Sequence, residues 1–387
     1  MTMRRLEYTV TFHTPAFLGN AEQSGQWRTP PFKALLRQWW RVAYAADHKF
    51  NVDVSTMRRE EGRLFGHAWL EDDRENGRAV AARKSLLRLR LDQWKEGGLK
   101  KQQWPQDATI SHPEVKNRQG KPIPVGSALY LGFGPLEYDN QRKKTALKAN
   151  AAIQAGESAT LSIAIPEEHE PCLVCALWLM NRYGTIGGRS RNGWGSFALE
   201  PLEGTPPLSQ EPAAFQRPWR EALELDWPHA IGKDEEGTLI WQTSTYDDWK
   251  TLMQELAKLK IGLRTQKPQF MLMLNQSAGD KEILRGINHG APQTRHWLSY
   301  PVTNHSVRPW DAEFVNGKKK PLNLRLPNQL RFKVRQTQEG KLVGVIFHVP
   351  CKPPTTFKPE PSAIKDVWRK VHTFLDEQRQ KLARIPE

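Results

Sequence analysis

A chain of 387 residues, 38% hydrophobic and 26% charged, has material for two medium-sized domains with buried cores and is not a disordered tail. Its 57 Lys and Arg face 42 Asp and Glu, a net charge of +15, which points to a polyanionic partner before a small neutral substrate. The longest apolar run, residues 172–180, is too short to cross a bilayer, residues 1–17 carry no apolar signal core, and three cysteines make no disulfide framework; a cytoplasmic protein without a membrane partner is expected.

The elements follow in order. Residues 6–13 (LEYTVTFH) alternate as a half-buried strand should. Pro30-Pro31 open a helix running to about Ala46, with Phe32, Leu35, Leu36, Trp39, Val42 and Ala43 on one face. Residues 85–94 predict an exposed strand, 96–121 a polar loop, 125–133 and 159–165 two strands, and 166–183 an apolar helix. Glycine-rich sequence spans 184–195, and 194–199 returns as a strand. The Pro-rich stretch 201–218 marks the boundary between a first domain at 1–205 and a second at 206–387. The second half predicts a strand at 238–243, a helix at 246–263, a hairpin of 329–335 against 342–349, and an amphipathic helix at 362–385 bearing Ile364, Val367, Val371, Phe374 and Leu382. The sequence shows no repeat, yet each half mixes strands with two helices. The fold class is therefore α+β, with helices on one face of a sheet.

Two constellations carry chemistry. On the first helix, the face opposite the core holds Lys33, Arg37, Trp40, Arg41 and Tyr44 at i, i+4, i+7, i+8 and i+11, and Arg28 extends the stripe. Cations interleaved with aromatics are suited to track a phosphodiester backbone and stack bases. The alternative is a solvated basic face whose aromatics complete the core. The second constellation is the loop Gly187, Gly188, Arg189, Ser190, Arg191, Asn192, in which glycines let backbone N–H groups approach a phosphate and arginines supply forked donors. It is neither a P-loop, lacking Gly-Lys-Ser/Thr, nor a dinucleotide fingerprint, since here a helix precedes the glycines and a strand follows. The alternative is a long turn into a strand.

Other signals are weaker. Cys172 and Cys175 lie in an apolar helix without a second cysteine pair, so core cysteines are expected and no metal site. Asp72-Asp73 read as a charged turn, Asp247-Asp248 as a helix start, and 318–320 as a solvated loop. His13 is the sole acid–base candidate near the basic helix. No catalytic residue and no cofactor is assigned.

Taken together, residues 11–41 (TFHTPAFLGNAEQSGQWRTPPFKALLRQWWR), 61–69 (EGRLFGHAW) and 183–197 (YGTIGGRSRNGWGSF) resemble the RAMP proteins of type III CRISPR effectors, most nearly those that form the first subunit of the type III-B Cmr complex. In the second half only 324–334 (LRLPNQLRFKV) is similar to the family, and it departs from the family's usual Arg-Pro-Ser or Ala-Ser-Pro. The resemblance implies tandem ferredoxin-like (RRM-like) domains, with the glycine-rich loop on the first. It implies a subunit that contacts the 3′ region of a guide (CRISPR) RNA and helps capture single-stranded target RNA beside other effector subunits, without cutting it. By position, Lys33, Arg37 and Arg41 fall on the family's basic helix, and Gly187 to Asn192 on its RNA-facing loop. Two alternatives stay open: a RAMP endoribonuclease, with His13, Glu22 or Asp47 as candidates, and a scaffold whose aromatics anchor protein partners.

Overall fold

The computed structural model describes residues 2–387 except 69, 118, 267–269, 271–286, 304 and 316–317. In the first half, β1 (Met3–Phe12) leads to α1 (Thr29–Asp47) and α2 (Val54–Phe65), followed by β2 (Arg88–Leu91), α3 (Ser127–Gly132), β3 (Ser158–Pro166), α4 (Glu170–Tyr183) and β4 (Phe197–Pro201). These strands form one antiparallel sheet in the order β4-β1-β3-β2. The second half repeats the pattern with β5 (Ile240–Thr243), α5 (Trp249–Arg264), β6 (Leu330–Gln336), β7 (Leu342–His348), α6 (Pro361–Glu377) and β8 (Leu382–Arg384). Its sheet runs β6-β7-β5-β8, again antiparallel throughout. Counted within each half, both sheets have strand order 4-1-3-2 with helices after the first and third strands. The fold is a mixture of helix and strand, as expected.

The first sheet is sided by its sequence. Leu6, Tyr8, Val10 and Phe12 alternate inward onto α1 and α4, while Glu7, Thr9 and Thr11 face outward beside Ser162 and Thr160 of β3. Burying such side chains stabilises by about 1.5–3 kcal/mol each, and a one-residue slip would turn all four to water, so the register is firmly set. The second sheet differs: every residue of β7 is buried. Ile346 and Leu342 join Leu252, Leu256, Val367 and Val371 from its own helices, whereas Val343, Val345 and Phe347 join the first half's core. There Phe347 meets Tyr183 of α4 with ring centroids 5.1 Å apart. The outward face of the first sheet thus carries no aromatic among the strand residues described, and the second sheet is covered on both sides.

Three expectations need correction. Residues 127–132 form a helix instead of a strand, because the Asp107 carboxylate accepts from the backbone N–H of Ala128 (2.8 Å) and Leu129 (3.0 Å), a cap supplied from twenty residues upstream. The last helix stops at Glu377, and Leu382 lies in β8, where Arg384 pairs with Asp234 (2.7 Å) and Asp376 (3.0 Å) at the sheet edge. Residues 318–321 form a short strand against 312–315, with Lys320 pairing Glu313 at 3.0 Å.

The halves are tied through the glycine-rich loop. Phe332 N–H donates to the Arg191 carbonyl (3.0 Å) and Val334 N–H to Ser196 Oγ (2.8 Å). Lys333, buried between them, donates Nζ to the carbonyls of Asn181 (2.5 Å) and Gly184 (2.8 Å). Glu387 accepts from Arg182 and from Arg335, each at 2.5 Å, closing the same seam.

Candidate nucleic-acid interface

The basic face of α1 packs against α2. Glu61 of α2, only 1% exposed, accepts from Arg37 Nε and receives Arg41 through both Nε (2.9 Å) and Nη2 (2.8 Å). Two cations therefore share one buried carboxylate. Trp40 is 4% exposed and packs edge-on to Phe65 of α2, and Tyr44 is 5% exposed, stacked on His48 at 4.0 Å. These two aromatics are core residues, which corrects the stacking surface expected of them. The stripe failed because it was read without α2, whose apolar Met57, Leu64 and Phe65 needed a partner face. Arg28 donates to the Gly19 carbonyl at 2.6 Å, and Lys33 remains half-buried, its ammonium pushed down by burial and then by Arg37.

The glycine-rich loop is built differently. Gly195 has φ +64°, and a Cβ there would meet the Ile186 carbonyl at 1.9 Å; at Gly187, φ +93°, it would meet the Phe17 carbonyl at 2.7 Å. Only glycine permits the turn that stands the loop against residues 14–18. Thr14 fixes it further, donating Oγ1 to the Gly193 carbonyl (2.8 Å) and accepting from Ser196 N–H (3.0 Å). Arg189, in the left-handed region at φ +57°, donates Nε to the Phe133 carbonyl at the end of α3 (2.5 Å), and Asn192 Nδ2 donates to Leu131 (2.6 Å). The loop's Gly187, Arg189 and Arg191 are exposed, and Gly188, Ser190 and Asn192 half-exposed.

Around it the second half gathers four more cations. Lys260 of α5 donates Nζ to Asn192 Oδ1, and burial, then Arg264 and Arg189, push its ammonium well below the ordinary 10.5. Arg264, one turn on, is lowered mainly by burial. Arg325 is the charge that, after burial, lowers Arg189. Arg331, at the start of β6, stands 5.6 Å from the Trp39 ring and is pushed to about 10 by burial and then Arg191. Arg189, Arg191, Lys260, Arg264, Arg325 and Arg331 make no ion pair with a carboxylate among the described residues. The Nε atoms of Arg264 and Arg331 are shielded from solvent and have no hydrogen-bond acceptor. An unpaired buried N–H costs about 1–3 kcal/mol, and at Arg264 the Glu114 carboxylate opposes the lowering by burial without forming an ion pair. Sequence reasoning found Arg189 and Arg191 but missed the other four, whose convergence depends on how α5 and β6 dock; the only cue was the Lys260–Arg264 spacing of one helical turn.

The acid–base candidates lie apart from such chemistry. His13 is pushed to about 4 by burial and then Lys333, so it is neutral near pH 7. Glu22 is exposed, and Asp47 lies 3.9 Å from His48. Burial pushes Cys172 up to about 12, and Cys175 meets Gln210 at 3.2 Å. Asp73 is a clamp, held by Arg83 and His67. Among the described residues no group of three or more His, Cys, Asp or Glu is arranged to hold a metal, and no helix is long and apolar enough to cross a membrane.

Residues 9–198 match the family model of the RAMP superfamily. Among solved structures the chain is similar to Cmr1 from Pyrococcus furiosus in its apo form, at 13% identity and TM-score 0.40, over 96% of this chain and 97% of that one. It is also similar to a chain of the type III-B Cmr-beta complex bound to cognate target RNA, at 12% identity and TM-score 0.40, over 95% of this chain and 99% of that one. A third structure is of that complex with cognate target RNA and AMPPnP in the presence of ssDNA, at 12% identity and TM-score 0.42, over 95% and 98%. No curated protein sequence matches the chain.

Proposed function

From the premise that this chain belongs to the RAMP superfamily through residues 9–198, we propose that it is a non-catalytic RNA-binding subunit of a type III-B CRISPR ribonucleoprotein. In this reading it contacts the 3′ region of the guide RNA, helps capture single-stranded target RNA, and works beside other effector subunits in the cytoplasm. The two sheets of order 4-1-3-2 are read as tandem ferredoxin-like domains of the RAMP type, at 1–205 and 206–387. One observation carries the reading: six cations gather around the glycine-rich loop, none of them ion-paired to a carboxylate among the described residues. Such a site is built for successive phosphates. Lys33, Arg37 and Arg41 rank below it, because Glu61 already compensates the two arginines, and Arg28 flanks them.

The test is binding of the purified chain to a single-stranded RNA at several salt concentrations, with and without Mg²⁺. The expected result is salt-sensitive binding without cleavage, weakened about tenfold or more by R189E. Salt-insensitive binding, or R189E binding as the wild type does, would refute the site; cleavage that follows the chain through purification would refute the non-catalytic role.

A further inference from the structure

Phe133 is 65% exposed, more than any other large apolar side chain described. It follows α3 directly, and its own carbonyl accepts the Arg189 Nε hydrogen bond at 2.5 Å. Gly134, at φ +117°, turns the chain away beneath it, and a Cβ on Gly134 would sit 3.6 Å from Arg189 Nη2. A bare aromatic ring and a guanidinium with no carboxylate partner among the described residues thus share one corner of the loop. Retaining a phenyl ring in water forgoes the gain of burying it, so the ring is available to an incoming flat apolar surface. The surrounding charge selects which surface: a ring whose own residue carries Arg189, with Arg325 acting on that guanidinium, suits a partner that presents a flat π-face next to an anion, as a nucleotide does. A duplex keeps its bases stacked on one another, so the occupant must be single-stranded. Neither sheet offers a substitute platform, since one outward face is polar and the other sheet is covered.

We propose that Phe133 is the base-stacking platform of this site: one unpaired nucleobase lies on its ring while Arg189 holds the adjoining phosphate. The inference rests on the RNA-binding reading above and adds to it the mode of recognition. It is tested with the full chain and a single-stranded RNA oligonucleotide, measuring affinity and its salt dependence for wild type, F133A, F133W and R189Q, together with oligonucleotides carrying single abasic positions. F133A is expected to weaken binding about 5- to 150-fold, the range of one lost stack, with the salt slope unchanged, and F133W to restore it. R189Q instead lowers the slope by about 0.7, the loss of one phosphate contact. At one abasic position the wild type should bind as weakly as F133A does, with no further loss in the variant. F133A binding like the wild type while R189Q is impaired would overturn the platform and leave the RNA-binding reading standing. A fall in salt slope with F133A would also overturn it, because the effect would then pass through a displaced Arg189. Wild-type protein that binds no single-stranded RNA at low salt would overturn both.

Discussion

The first basic helix and the glycine-rich loop look alike as strings of arginine and small or aromatic residues, yet the fold uses them in opposite ways. On α1, Arg37 and Arg41 converge on the buried Glu61, and Trp40 and Tyr44 fill the space against α2. At the loop, Arg189 and Arg191 are joined by Lys260, Arg264, Arg325 and Arg331, none of them ion-paired to a carboxylate among the described residues. The lesson concerns the meaning of a formal charge. A cation paired to an internal carboxylate contributes to stability; one without such a pair is, in the proposed reading, left for a phosphate. The +15 net charge does not distinguish them.

The largest effect is expected from R189E combined with R191E: two reversals on exposed loop residues, about 100-fold weaker single-stranded RNA binding with little change in melting temperature. If the pair bound normally, the two regions would not differ in function. Next, E61Q should lower stability by about 2 kcal/mol in urea unfolding, the range for a hydrogen bond to a charged group, discounted because both arginines are partly exposed. Its RNA salt slope should stay at the wild-type value. Unaltered stability would show that α1 does not depend on this carboxylate.

A smaller effect concerns protons. Burial, then Arg264 and Arg189, hold the Lys260 ammonium well below 10.5, and a phosphate favours its charged form. Binding therefore takes up a proton, and affinity should fall as pH rises through that depressed value; K260Q should flatten the profile. A profile identical in the two proteins would remove Lys260 from the site. The smallest effect lies far from the interface. Hydrogen bonding from Arg83, against burial, brings Asp73 from 3.8 to about 2. A depressed folded value means stability that is complete above pH 3.8 and lost as pH falls towards 2, so D73N should lose that acid dependence in unfolding curves.

Much of the fold was legible in the sequence. The alternation in β1, the Pro-Pro start of α1 and the hairpin turn at Gly340 (φ +80°) are local signals, and each produced its element within a few residues. What was not legible came from elsewhere in the chain. The helix at 127–132 needs Asp107, and β8 needs an open sheet edge beside β5, neither of which a window over the segment contains. The same holds for the site. The loop announced itself by composition, but Lys260, Arg264, Arg325 and Arg331 reach it only after α5 and β6 have docked, and Trp40 left the stripe only because α2 covers it. Phe133 was absorbed into an expected strand, so its exposure beside Arg189 had no counterpart in the pattern.

The most direct test is the dependence of log affinity on log salt for single-stranded RNA, comparing wild type, R189Q/R191Q and R37Q. The account predicts that the loop variant lowers the magnitude of the slope by about 1.4, two phosphates at about 0.7 each, while R37Q leaves it unchanged, Glu61 keeping its bidentate partner Arg41. A full slope in R189Q/R191Q with a reduced one in R37Q would contradict it, placing the RNA on α1 instead.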